Sequence, residues 1–181
     1  MPSAVSLKCV DDSGDHVRAL WEEAAGFEVE PSMAALGYPP HLTLAVYEAV
    51  PREALDAAVA AVGAALRTQH LRFDSVRSFA GSPLVLWAAP EPSEDLARAH
   101  AVLHRLIDPA LCHPHYRPEA WVPHCSLATR VAEGREAAAL AWAAAARACF
   151  SVTFGVVDCV SFPPVRVLAE RRLEADGGRR A

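Results

Sequence analysis

Residues 40–47 read PHLTLAVY and residues 123–130 read PHCSLATR, so the chain contains Pro-His-x-(Thr/Ser)-Leu-Ala twice, with His41 and His124 83 positions apart. A free imidazole ionises near pH 6.5, so two of them facing one cleft can form an acid and a base near neutral pH. Each proton transfer such groups perform contributes roughly 100- to 10,000-fold in rate. In an extended chain Thr43 shares a face with His41, and Ser126 with His124, while Leu42, Leu44, Cys125 and Leu127 point the other way, into a core. Hydroxyls beside the imidazoles can donate to an anion, at about 1.5 to 3 kcal/mol for each bond to a charged acceptor. A tetrahedral phosphate fits four such groups, and in-line attack at phosphorus places nucleophile and leaving group on opposite sides. No metal is needed for that chemistry. A single His-x-Thr carries little meaning; the registered pair carries the reading.

The elements that must position the two motifs also repeat. Residues 4–10 alternate as a strand, and Val17, Leu20, Trp21 and Ala24 fall at helical spacing between Asp15, an expected N-cap, and Gly26. Three prolines and a glycine mark 31–40 as a loop leading into a strand at 41–48. Pro51 opens a helix ending near Arg67, and 71–79 alternate as a half-buried strand. The order then restarts with an apolar strand at 84–89, a helix capped by Ser93, the proline-bearing loop CHPHYRPEAWVP, the strand HCSLAT, an alanine-rich helix and two closing strands. The initial strands begin near residues 4 and 84, so strands and histidines share one offset, and two lobes of approximately 1–82 and 83–176, free to exchange strands, would face each other across a cleft. The chain ends in ADGGRRA, of which the last five residues, 177–181, read as a flexible tail.

Composition excludes several classes. The chain of 181 residues is 52% hydrophobic and 22% charged, which suits one compact domain over 1–176 and rules out a disordered chain. No apolar run reaches the roughly 20 residues of a membrane span, and the N-terminus lacks a secretory signal, so cytoplasmic residence is expected. Five cysteines without CxxC spacing suit reduced thiols. A net charge of −5 argues against coating extended nucleic acid, while a nucleotide or an RNA end remains compatible. The oligomeric state is open.

PHLTL, PHCSL, the loop HYRPEAWVPH and the repeated strand–helix order together resemble the 2H phosphoesterase superfamily, in its 2'-5' RNA ligase-like, cyclic phosphodiesterase branch, over roughly residues 4–174. The resemblance implies an α+β fold: two pseudo-symmetric lobes of mainly antiparallel sheet with outer helices, enclosing a central cleft. It implies metal-independent opening of a 2',3'-cyclic phosphate on a nucleotide or RNA end, with 2'-5' RNA ligation as the reverse reaction and no cofactor. His41 and His124 would be catalytic, their acid and base roles exchangeable with substrate orientation, and Thr43 and Ser126 would hold the phosphate. Two ordinary histidines would give a rate optimum near neutral pH.

Beyond those four, Arg130 is a candidate phosphate contact, and Tyr116 and Trp121 are candidate stacking surfaces for a base. His100, His104, Cys112, His113 and His115 include zinc-ligand types, but their spacing matches no metal pattern, and no metal is assigned. Cys125 reads as a small buried hydrophobe and not a nucleophile. There is no GxSxG, Walker loop or GxGxxG. The alternative from another class is a non-catalytic module of the same fold that binds RNA ends or nucleotides. RNA termini, a cyclic metabolite and a 2'-5' oligonucleotide remain equal as substrates at this level.

Overall fold

The computed structural model describes residues 1–146 and 149–175; the tail expected at 177–181 lies outside them. The strands are β1 (Ser3–Cys9), β2 (His41–Tyr47), β3 (Gln69–Phe79), β4 (Val85–Pro90), β5 (Cys125–Ala128), β6 (Phe150–Ser161) and β7 (Arg166–Arg172). Four helices intervene: α1 (Asp15–Ala25), α2 (Arg52–Ala65), α3 (Glu94–Leu106) and α4 (Glu136–Ala145). Ser93 caps α3 through a bond from the Leu96 amide, as its position before two acids predicts. Asp15 is not a cap. Asp11 accepts from the Ser13 amide and starts a 3-10 turn that runs directly into α1, leaving Asp15 as the first helical residue.

All seven strands join one antiparallel sheet in the order β2-β1-β6-β3-β4-β5, with β7 also paired to β6. The pairing crosses between the repeats. β6 is long enough to pair β3 through Phe150–Phe154 and then β1 through Phe154–Ser161, so it ties the two ends of the sheet together. The helices cross as well: α1 packs against β5, while α3 packs against α2 and β2. β2 and β5 stand at opposite ends of the strand order yet touch one another. The sheet therefore bends until its edge strands, the two that carry the motifs, are neighbours.

Alternation along those strands explains the bend. Leu42, Leu44, Cys125 and Leu127 are buried in one continuous core with Val5, Leu7 and Val17. Burying a leucine side chain contributes about 1.5 to 3 kcal/mol, so both motif strands are drawn to the same apolar interior. The intervening His41, Thr43 and Ser126 are left half-exposed on the opposite face. Among the described residues no helix is long and apolar enough to cross a membrane.

Candidate active site

A proline precedes each histidine, and it shapes the ring's environment. Proline has no N–H and forces the residue before it into an extended conformation. The carbonyl two residues before each histidine is thereby turned toward the imidazole. His41 Nδ1 lies 2.9 Å from the Pro39 oxygen, and His124 Nδ1 lies 2.7 Å from the Val122 oxygen. A carbonyl only accepts, so Nδ1 carries the hydrogen in both rings and Nε2 keeps its lone pair. Two repeats thus set the same tautomer by the same local device. His124 itself stands one residue before β5, which is shorter than the strand expected through Thr129.

The two surroundings differ. The edge of the Tyr38 ring meets His41 at 4.8 Å between centroids. The Tyr38 hydroxyl donates to Asp158 Oδ1 at 2.6 Å, and Asp158 Oδ2 pairs with Lys8 Nζ at 3.0 Å, which also reaches Glu170 at 2.8 Å. Asp158 is wholly buried and Lys8 is 7% exposed, so this is an interior charge network behind His41. His124 sits instead among aromatic rings: Phe79 at 5.1 Å, Trp87 at 5.8 Å and Tyr116 at 6.3 Å. Burial pushes His41 down to about 4 despite the Pro39 carbonyl, and the neighbouring His124 lowers it further. His124 is also lowered, by burial, against the opposing pull of the Val122 carbonyl. In the free protein both rings therefore hold a second proton less readily than a free imidazole does.

The hydroxyls lie where alternation places them. Thr43 Oγ1 is 3.4 Å from Ser6 Oγ on the adjacent strand. The Trp121 indole donates to the Thr43 carbonyl at 3.0 Å, and the Trp21 indole donates to the Ser126 carbonyl at 2.8 Å. Two cavities flank the motifs. One, of about 320 Å³, is lined by His41, Thr43, Tyr38 and Arg130; the other, of about 480 Å³, by His124, Phe79 and Val122. They meet at Tyr116, Ser126 and Thr129, which line both. Neither cavity has a carboxylate in its wall, although the chain carries a net charge of −5. An anion can enter without meeting like charge.

The structure thus gathers His41, Thr43, His124, Ser126, Tyr116 and Arg130 around adjoining space. Arg130 lies beyond the end of β5 with its guanidinium exposed, while its backbone amide donates to the buried Glu28 carboxylate. Burial pushes the Tyr116 phenol up to about 12, so its hydroxyl keeps its hydrogen as a donor. Trp121, a candidate stacking surface for a base, lines neither cavity and packs within the protein, its face covered by His100 at 4.1 Å and 5° between planes. His100 and His104 both direct Nε2 to the Tyr116 carbonyl, at 2.9 and 3.0 Å, and so fix the loop that carries Tyr116. Among the described residues no three His, Cys, Asp or Glu side chains form a set able to hold a metal. Tyr38, Ser6, Lys8 and Asp158 were not singled out from the sequence. A lone lysine in SAVSLKC and a lone aspartate in FSVTFGVVDCVS, each charged within an otherwise buried strand, were the available signal.

Residues 13–160 match the family model described as the 2'-5' RNA ligase superfamily. Among solved structures, the chain is similar to Escherichia coli LigT complexed with NADP+ (17% identity, 95% of this chain and 96% of that chain, TM-score 0.62). LigT complexed with 3'-AMP is alike at 16% identity over 95% and 97%, with a TM-score of 0.60. The protein TT0787 of Thermus thermophilus shares 22% identity over 97% and 100%, also with a TM-score of 0.62. Likeness at these identities establishes the shared fold. No curated protein sequence matches the chain.

Proposed function

The chain belongs to the 2'-5' RNA ligase superfamily of phosphoesterase-type proteins, and from that premise we propose that it is a metal-independent phosphodiesterase opening 2',3'-cyclic phosphates of nucleotides or RNA ends. The observation that carries this reading is the matched pair of imidazoles, each held through Nδ1 with Nε2 bare, at a junction of two cavities free of carboxylates. Thr43 and Ser126 hydroxyls would donate to the non-bridging phosphate oxygens, with Arg130 supplying charge from the rim. One Nε2 takes a proton from water as its oxygen bonds to phosphorus. The other, protonated once the anion is bound, gives its proton to the ribose oxygen as the P–O bond breaks. The product is a nucleoside 2'- or 3'-monophosphate with its other ribose hydroxyl freed; the same ring opening with the 5'-hydroxyl of a second strand in place of water is ligation. The complex of LigT with 3'-AMP holds a monophosphate of the kind this reaction releases.

The test is turnover of a nucleoside 2',3'-cyclic phosphate in excess chelator by the native chain, His41→Ala and His124→Ala. Each variant is expected to lose roughly 100- to 10,000-fold in kcat. Binding of nucleotide without native turnover would instead identify a non-catalytic module, and loss of activity with chelator would overturn the metal-free mechanism.

A further inference from the structure

His113 and His115 belong to no step above, yet both line the cavity that holds His124. Their rings stack on one another at 5.1 Å between centroids and 21° between planes. The rings of His41, His70, His100, His104 and His124 are each hydrogen-bonded within the protein. Among the described residues, the rings of His16, His113 and His115 are not; His16 stacks on Phe150 away from both cavities, which leaves His113 and His115 as the pair beside His124.

The segment presenting them is held on both sides. The His113 amide donates to the Val46 carbonyl of β2 at 2.8 Å, and Cys112 forms an isolated bridge with Tyr47. Arg117 Nε donates to the Cys112 carbonyl at 3.1 Å, and the His100–His104 pair fixes the Tyr116 carbonyl. Two exposed imidazoles with free nitrogens are therefore carried on a braced loop. They face a space whose wall contains no carboxylate and includes an apolar stretch from Phe79, Pro83 and Val122. Imidazole gains a proton readily when an anion is within reach, and a charge-assisted bond to phosphate is stronger than a neutral one.

We infer that His113 and His115 form a second anion subsite, for a phosphate that the substrate carries beyond the one being cleaved. This rests on the proposed function, because the cleaved phosphate is taken to sit at the junction by Ser126, with the intervening nucleoside against Phe79 and Val122. The ligand class is a nucleoside 2',3'-cyclic phosphate bearing a further phosphate at its 5' oxygen. That group is either a terminal monoester, as in a mononucleotide, or the diester of the preceding residue in an RNA strand.

The experiment compares three substrates: adenosine 2',3'-cyclic phosphate, the same compound with a 5'-phosphate, and a dinucleotide ending in the cyclic phosphate. The native chain is expected to favour the two phosphorylated substrates by about tenfold in kcat/KM, expressed in KM, which is about 1.4 kcal/mol. His113→Gln/His115→Gln should abolish that preference and leave turnover of the unphosphorylated compound unchanged. Preference for the 5'-monoester assigns the site to mononucleotides, and preference for the dinucleotide assigns it to RNA strands. Equal rates for all three in the native chain, or an equal loss on all three in the double variant, overturns the inference. If the native chain turns over none of them, the proposed function fails, and the subsite is read by calorimetry with adenosine 3',5'-bisphosphate and adenosine 3'-phosphate. About tenfold tighter binding of the bisphosphate, lost in the double variant, supports it; equal binding by the native chain overturns it.

Discussion

The indole of Trp21 donates to the carbonyl of Ser126 at 2.8 Å, from a helix in the first repeat to the motif strand of the second. Trp121, in the second repeat, donates to the carbonyl of Thr43 in the first at 3.0 Å. Each repeat thus braces the hydroxyl-bearing residue of the other, at equivalent positions of the two motifs. The crossing matters because β2 and β5 lie at opposite ends of the strand order, and the ladder alone does not set their separation.

Removing either indole N–H therefore relaxes the join. Trp21→Phe and Trp121→Phe are each expected to lose about 1 kcal/mol of stability, the contribution of an ordinary hydrogen bond. The kcat/KM for a cyclic phosphate should fall by about 10- to 100-fold under conditions where the variants are fully folded, because small misplacements of reacting groups are costly in rate. Denaturant titration and steady-state kinetics separate the two effects, and unchanged turnover would remove the bracing role.

The pH profile follows from the two depressed histidines. Whichever ring is the base must be unprotonated, so activity falls as pH drops through that ring's pKa; the acid must be protonated, so activity falls as pH rises through the other. Both values lie below 6.5 in the free protein, His41 at about 4. The kcat/KM profile is therefore expected to be a bell with its maximum below pH 6.5, on the acid side of the near-neutral optimum that two ordinary imidazoles give. The kcat profile should move toward neutral, because bound phosphate favours the imidazolium. A kcat/KM maximum at about pH 7.5 or above would contradict the arrangement.

Strand alternation and the two-histidine register were visible in the sequence because they are local: period two puts His41 and Thr43 on one face whatever the strand pairs with. The exchange of helices was not, since nothing in the α1 sequence distinguishes packing on β2 from packing on β5. Trp121 shows the same limit. An aromatic in a proline-bearing loop can stack on a ligand or on the protein, and the decision was made by His100, whose helical position gave no hint of its covering the ring. Tyr38 was one residue among a loop's prolines until β6 supplied Asp158 beneath it.

That buried network gives a prediction about stability. Asp158→Ala leaves Lys8 nearly buried with only the exposed Glu170 as partner, and strands the Tyr38 hydroxyl. Breaking a buried pair by deleting one member costs about 3 to 5 kcal/mol. Denaturation should register a loss of that size, and Tyr38→Phe, which keeps the ring on His41, a loss nearer to about 1 kcal/mol. If Asp158→Ala unfolds no more readily than Tyr38→Phe, the Lys8–Asp158 pair is not a structural requirement.

The cysteines test whether the nucleophile is water or a thiol. Cys125 is buried between His124 and Ser126 in sequence but on the core side of the strand, and burial pushes its thiol up to about 12. Cys9, Cys112 and Cys159 are buried too, with burial raising each, whereas Cys149 is exposed. Thiolate is the reactive form, so iodoacetamide applied to the folded chain at about pH 8 is expected to modify Cys149 alone and leave turnover intact. Cys125→Ala should likewise retain its rate, with a modest loss of stability from the small cavity it opens. Inactivation that tracks labelling of Cys125 would replace the two-histidine scheme with covalent catalysis by the thiol; labelling of Cys149 at full activity leaves the imidazoles as the groups that must move the protons.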